Sequence, residues 1–212
     1  MQKSLYLAII AICLFACAPS EAQQTNTVEV SPKLREFLVK HPIAHQALTN
    51  VLLEAFSNRT VQIFYFYTSD ASAAKAAHYY PTRSTVFMTI CENQPVVDEF
   101  IMIVFESLNS EAEPAFLALF EKARSGEVSK AEFAREMIKI EFKAMKRTRD
   151  LLPTLKFSKS EKSKSGCYDK ICNCPDNVED FPAYVEKNST RQRNAIKEYE
   201  DKYDLLRPQK AP

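Results

Sequence analysis

Three cysteines fall within Cys167-x4-Cys172-x-Cys174, and a fourth, Cys91, stands far upstream. Thiols this close can bridge, hold zinc or cycle through redox chemistry. Zinc would need a fourth ligand at a spacing unlike the common knuckles, and an oxidising compartment works against three free thiolates. Redox chemistry lacks its usual motif, because no Cys-x-x-Cys occurs. In an exported chain the four cysteines most simply predict two disulfides. Cys172 and Cys174 are too close to pair comfortably, so one of them is expected to reach Cys91 and the other Cys167, tying the tail to the strand that ends at Cys91.

A second kind of chemistry centres on Glu106, set among Val104, Phe105 and Leu108. A carboxylate in such surroundings must reach solvent, pair with a cation or shift its pKa. Asn109 lies one turn on and Glu99 two turns back, so the three make a polar seam along one face of an apolar helix. His78 and Arg83 are the expected partners of Glu106, and His78 also precedes the strand that would line a cleft. His41 and His45 have the spacing of a metal pair, yet Pro42 separates them, which predicts helix-surface residues. No serine has a Gly-x-Ser-x-Gly setting. Glycine occurs only at Gly126 and Gly166, which excludes the glycine-rich phosphate loops.

The strand 85–91, the helical segment Phe105-Glu106-Ser107-Leu108-Asn109 and the later Glu141 together resemble the zincin metallopeptidases. In that family an edge strand is followed by a helix bearing His-Glu-x-x-His, with a further ligand on a later helix. The central glutamate, the family's general base, stands here as Glu106, while the two histidine positions are Phe105 and Asn109. The resemblance implies a zincin-like scaffold that has lost zinc, or one with an oxygen-rich site. In the second form Asn109 and Glu141 would hold a divalent ion and Glu106 would be the catalytic base.

Positioning these residues requires a set of elements that the sequence marks locally. Ser31 and Pro32 read as the N-cap and first residue of a helix whose apolar pattern runs to Phe56, kinked or divided at Pro42. Residues 60–68 and 85–91 are rich in aromatic and β-branched side chains and read as strands. From Val96 the chain is apolar on nearly every side, the pattern of a helix within a core. Ser110 with Glu113 and Ser129 with Glu132 read as capping boxes that open two further helices, the first closed by Gly126 and the second running to about Asp150. Ile196, Tyr199, Tyr203 and Leu206 recur at helical spacing near the end.

The N-terminus supplies the address. Lys3 precedes an apolar run over residues 5–16, long enough for the core of an export signal and short of the roughly 20 residues that span a bilayer. Leu14, Phe15, Ala16 and Cys17 resemble the lipobox of bacterial lipoproteins, in which the cysteine is acylated; the alternative is cleavage after Ala22, giving a soluble product that starts at Gln23. Net charge is +1, which argues against a nucleic-acid binder. The charge is uneven, with seven acidic residues and no Lys or Arg over 92–121, then nine basic against three acidic over 143–170. Those stretches suit complementary faces, a flexible connector in the Ser- and Lys-rich part, or contact with anionic lipid.

The expected architecture is α+β, a short sheet packed against a mostly helical domain, with a disulfide-tied C-terminal helical extension. Residues 1–22 are the signal peptide, 23–30 a tether, 31–157 the core domain, and 158–212 a basic linker, Cys-rich segment and helix. The expected function is that of an exported, lipid-anchored envelope protein, periplasmic or extracellular, carrying a non-catalytic binding or interaction domain. Its partners would be the membrane, through the anchor, and a protein or peptide. No cofactor is expected on this reading. The alternative is a metal-dependent, peptidase-like hydrolase. Substrate, partner and oligomeric state are not encoded in any motif.

Overall fold

A computed structural model describes residues 30–56, 62–68, 78–80, 85–91, 94–189 and 194–207, the strands and Phe56 by their backbone alone. The signal peptide, Cys17, residues 23–29 of the tether and Arg83 lie outside the described residues, as do the side chains of His78 and Cys91; Val30, the last tether residue, is buried. The chain forms two compact units, Met1–Ser107 and Leu108–Pro212.

In the first unit, α1 (Pro32–Lys40) opens as its sequence predicts. The Ser31 hydroxyl accepts from Leu34 N–H at 3.0 Å, and Pro32 sits where no donor is needed. The chain divides at His41, whose ring stacks on Phe37 with centroids 4.3 Å apart. Pro42 then begins α2 (Pro42–Phe56). Leu34, Phe37 and Leu38 of α1, and Ala44, Leu48 and Leu52 of α2, are buried. Residues Val97, Phe100, Ile101, Ile103 and Val104 of α3 (Val96–Asn109) are buried with them in this unit. The backbone of β1 (Gln62–Thr68), β2 (His78–Tyr80) and β3 (Thr85–Cys91) pairs in the order β1-β3-β2. β1 is parallel to β3, with Gln62 opposite Thr85, and β2 is antiparallel to it, with His78 opposite Phe87.

The second unit is helix on helix. The capping box expected at Ser110 and Glu113 does not form; residues Ser110–Ala112 tighten into a 3-10 turn, and α4 (Glu113–Ser125) starts with Pro114 in its first turn and no side-chain cap. Gly126 ends α4 at φ 81°, a left-handed conformation that costs glycine no Cβ clash, and the Arg207 guanidinium occupies the space a Cβ would take. The box at Ser129 and Glu132 does form and opens α5 (Lys130–Leu151), whose 22 residues span about 33 Å. Its stripe meets Phe116, Leu119, Phe120 and Ala123 of α4 through Phe133 and Met137. Further along, Ile138 packs with Cys174 and with Phe181 of α8 (Phe181–Asn188). Between these helices, the chain makes α6 (Lys159–Lys164) and α7 (Tyr168–Cys172). α9 (Ala195–Leu206) lays Tyr199, Tyr203 and Leu206 on the α4–α5 cluster and Ile196 with Tyr199 on the other. No helix among the described residues is long and apolar enough to cross a membrane.

The α+β expectation is therefore corrected. Residues 30–55, 94–189 and 194–207, whose side chains are described, contain no strand and are about 81% helical. Two segments rich in β-branched and aromatic residues suggested a sheet as one layer of the core. Among the described side chains, helices cover one another's apolar stripes, so the core is a helical one.

The disulfide framework is corrected as well. None of Cys167, Cys172 and Cys174 is in a disulfide. Cys167 caps α7 and Cys172 closes it, so the helix holds them about 7.5 Å apart along its axis, beyond the reach of a bridge. Cys174 is buried, and desolvation pushes the thiols of Cys172 and Cys174 up, which keeps them neutral. The segment is fastened by Arg149 instead. Its guanidinium donates to the carbonyls of Cys174 at 2.8 Å and Pro175 at 3.3 Å, and pairs with Asp176 at 2.8 Å and Asp150 at 3.1 Å. Asp176 is well exposed, so the carbonyl bonds carry most of the clamp. Arg149→Met is expected to lower stability by about 1–3 kcal/mol, because it strands those carbonyls. Dithiothreitol is expected to leave Tm unchanged; urea and thermal unfolding with and without reductant check both outcomes.

Candidate functional site

The buried stripe of α5 recurs at Phe133, Ala134, Met137, Ile138, Ala144 and Thr148. Glu141 follows Met137 by four residues and Ile138 by three, which places an acid in line with apolar neighbours. The residue as a whole keeps some surface, while its carboxylate is ringed by protein atoms. The Tyr199 hydroxyl donates to Glu141 Oε1. The side-chain amide of Asn109, a residue only 4% exposed, donates to the same carboxylate. Asn109 Oδ1 is buried and has no hydrogen-bond partner. One turn beyond Tyr199, Lys202 adds a positive charge, with its ammonium 4.7 Å from the centroid of the Phe120 ring.

These four side chains make a closed polar centre on helices that are otherwise apolar at this level. Burial pushes the Glu141 carboxyl up to about 7. The Tyr199 and Asn109 hydrogen bonds and the Lys202 charge pull the other way and are outweighed, while Glu198 adds to the rise. Desolvation lowers the Lys202 pKa, and the Glu141 charge offsets part of that effect. A carboxyl that titrates near neutrality can exchange a proton. It is a poor cation ligand here, because two donors already point at it and an ammonium stands beside it.

Of the residues singled out by sequence, the structure brings Asn109 and Glu141 together. Glu106 is 6% exposed and is engaged in an interaction of its own. Glu99, on the same face of α3, is 1% exposed; its Oε2 accepts from Ser31 Oγ at 2.8 Å, and the Ser31 backbone N–H donates to it as well. Its Oε1 is buried without a partner, and desolvation raises its pKa. Whether His78 or Arg83 meets Glu106 falls outside the described residues, as does the environment of Cys91 and Cys17. His45 is exposed and His41 stacks on Phe37. Among the described residues, no three His, Cys, Asp or Glu side chains gather in a way that could hold a metal ion. Sequence reasoning placed Tyr199 in an apolar stripe and missed Lys202; the available signal was an acid in the α5 stripe facing a helix with Tyr and Lys one turn apart.

Comparison with protein-family models, with curated proteins and with solved structures gave no match.

The sign of the pH response follows from Glu141. Its folded-state pKa of about 7 exceeds the ordinary 4.5, so the folded form holds a proton that the unfolded chain releases between those values. Stability is then highest below pH 4.5 as far as this group is concerned, falls as pH rises through the window, and levels off above about 7. Glu141→Gln, which can still accept from Tyr199, is expected to flatten this segment of the profile. Urea midpoints measured across that range for both proteins provide the check.

Proposed function

We propose that this is an exported envelope protein, lipid-anchored at Cys17, whose folded part is a non-catalytic binding or interaction module. The observation that carries the reading is the closure of the polar centre: Asn109 and Tyr199 spend their donors on Glu141, and Lys202 supplies the positive charge that an ion would otherwise bring. A metal-dependent hydrolase would need Asn109 and Glu141 turned toward an ion, with Glu106 activating water. Internal pairing of Glu141 favours a structural role for that acid, and the resemblance to the zincins then extends to a helical scaffold without the chemistry. Export and anchoring rest on Lys3, the apolar run 5–16 and the sequence Leu14-Phe15-Ala16-Cys17. The partners in this reading are the membrane, through the anchor, and a protein or peptide met in the envelope.

Metal analysis of protein purified without chelator from an oxidising compartment tests the module against the hydrolase. No stoichiometric metal is expected in the wild type or in Glu141→Ala; near-stoichiometric metal that the substitution removes would overturn the proposal. Fatty-acid labelling in a bacterial host tests the anchor. Label is expected on the wild type and lost in Cys17→Ser, whereas an unlabelled product beginning at Gln23 would show cleavage after Ala22 instead.

A further inference from the structure

We propose that the lysine-rich segment 156–170 is a contact surface for anionic membrane lipid. Its setting rests on the export and anchoring proposed above, while the surface itself is a property of the second unit. Over 156–170 the chain carries Lys156, Lys159, Lys162, Lys164 and Lys170 against Glu161 and Asp169. Composition alone suits a loose connector, but the segment is seated. Leu155 and Phe157 on one side of α6, and Tyr168 and Ile171 on the other, are buried. The capping box of α6 is complete: Ser158 Oγ accepts from Glu161 N–H at 3.2 Å, and a Glu161 oxygen accepts from Ser158 N–H at 2.7 Å. Ser165 Oγ then accepts from the N–H groups of Cys167 and Tyr168 as the chain enters α7.

Two consequences follow for the outer face. The one acid of α6 is folded back onto its own N-cap. α6 itself buries no residue, and Lys156, Lys159, Lys164 and Lys170 are exposed. Lys162 lies half-buried, its ammonium 5.3 Å from the Tyr168 ring centroid. Four basic residues of α5 behave differently, since Lys139, Lys143, Arg147 and Arg149 reach acids of neighbouring elements or of their own helix. Among the described residues, the lysines of 156–170 have no ion pair of that kind. A seated segment whose lysines show no ion pair among the described residues matches the negative potential of a leaflet rich in acidic phospholipid. Twelve residues, 18–29, separate Cys17 from the first described residue. At full extension they reach about 40 Å at most, so an anchored chain has its first described residue held within that distance of the bilayer. The net charge of +1 for the whole chain favours this local contact over a general polyanion binder.

Vesicle flotation of the chain from Gln23 onward, which retains every described element, tests the surface without the lipid. Binding to phosphatidylcholine vesicles containing about 30% phosphatidylglycerol is expected to exceed binding to pure phosphatidylcholine by about tenfold at ~0.05 M salt, and to be lost at ~0.5 M. The triple variant Lys156→Glu, Lys159→Glu, Lys164→Glu is expected to fall to the pure phosphatidylcholine level. Arg35→Glu with Lys40→Glu, on α1 of the first unit, is expected to change nothing. Equal binding to both vesicle types, full binding by the triple variant, or capture of a nucleic acid in place of vesicles would each overturn the proposal. Should the Glu variant lose its helical circular dichroism, the same three positions as Gln provide the reading. Because this protein lacks Cys17, failure of lipidation leaves the result untouched, and the two proposals fail separately.

Discussion

A carboxylate withdrawn from water has to find donors, and here the donors come from distant parts of the chain. Glu99 on α3 is met by Ser31, 68 residues earlier, and Glu141 on α5 by Tyr199, 58 residues later. An uncompensated buried carboxylate costs several kcal/mol, more than one buried aliphatic side chain typically contributes, so these meetings restrict where a helix can dock. Ser31 heads α1 and Tyr199 lies on α9. In each unit a buried acid thus specifies the seat of a helix whose apolar stripe alone would tolerate several.

The second unit shows how the specification works. α5 is the shared wall of two apolar clusters, and Tyr199 packs on both of them while its hydroxyl reaches Glu141. The polar centre therefore sits at the join, where a sliding helix would lose packing and hydrogen bonding together. Tyr203 adds a bond to the Val128 carbonyl at 2.9 Å, and Lys130 pairs with Asp204 at 2.5 Å at the exposed rim. Opposite charges along the chain are matched in part, since Glu111 from the acidic stretch meets Arg147 at 2.6 Å and Lys143 at 3.5 Å.

Signals carried by a few adjacent residues were legible in the sequence. The N-cap at Ser31, the divide at Pro42, the C-cap at Gly126 and the box at Ser129 with Glu132 all depend on short-range geometry, and the structure shows each of them. The box at Ser110 failed because the chain tightens into a 3-10 turn before Pro114. Long-range relations were harder to read. Nothing local in Arg149 marks it as the clamp on Cys174 and Pro175, and the cysteine spacing gave no hint that α7 would hold Cys167 and Cys172 apart. Glu141 entered through a family resemblance; the hydrogen bonds that define its surroundings come from α3 and α9, which no local pattern connects.

The bond between Ser31 and Glu99 also sets an order of events. A chain made from its N-terminus delivers α1 long before the acid that completes its start. Until residue 99 has followed, the Ser31 hydroxyl and N–H have no Glu99 carboxylate to bond, and a nine-residue helix by itself is marginal in water. The same distant link that fixes the helix in the finished protein leaves it unfastened while the chain is being made, and its seating waits until residue 99 has followed.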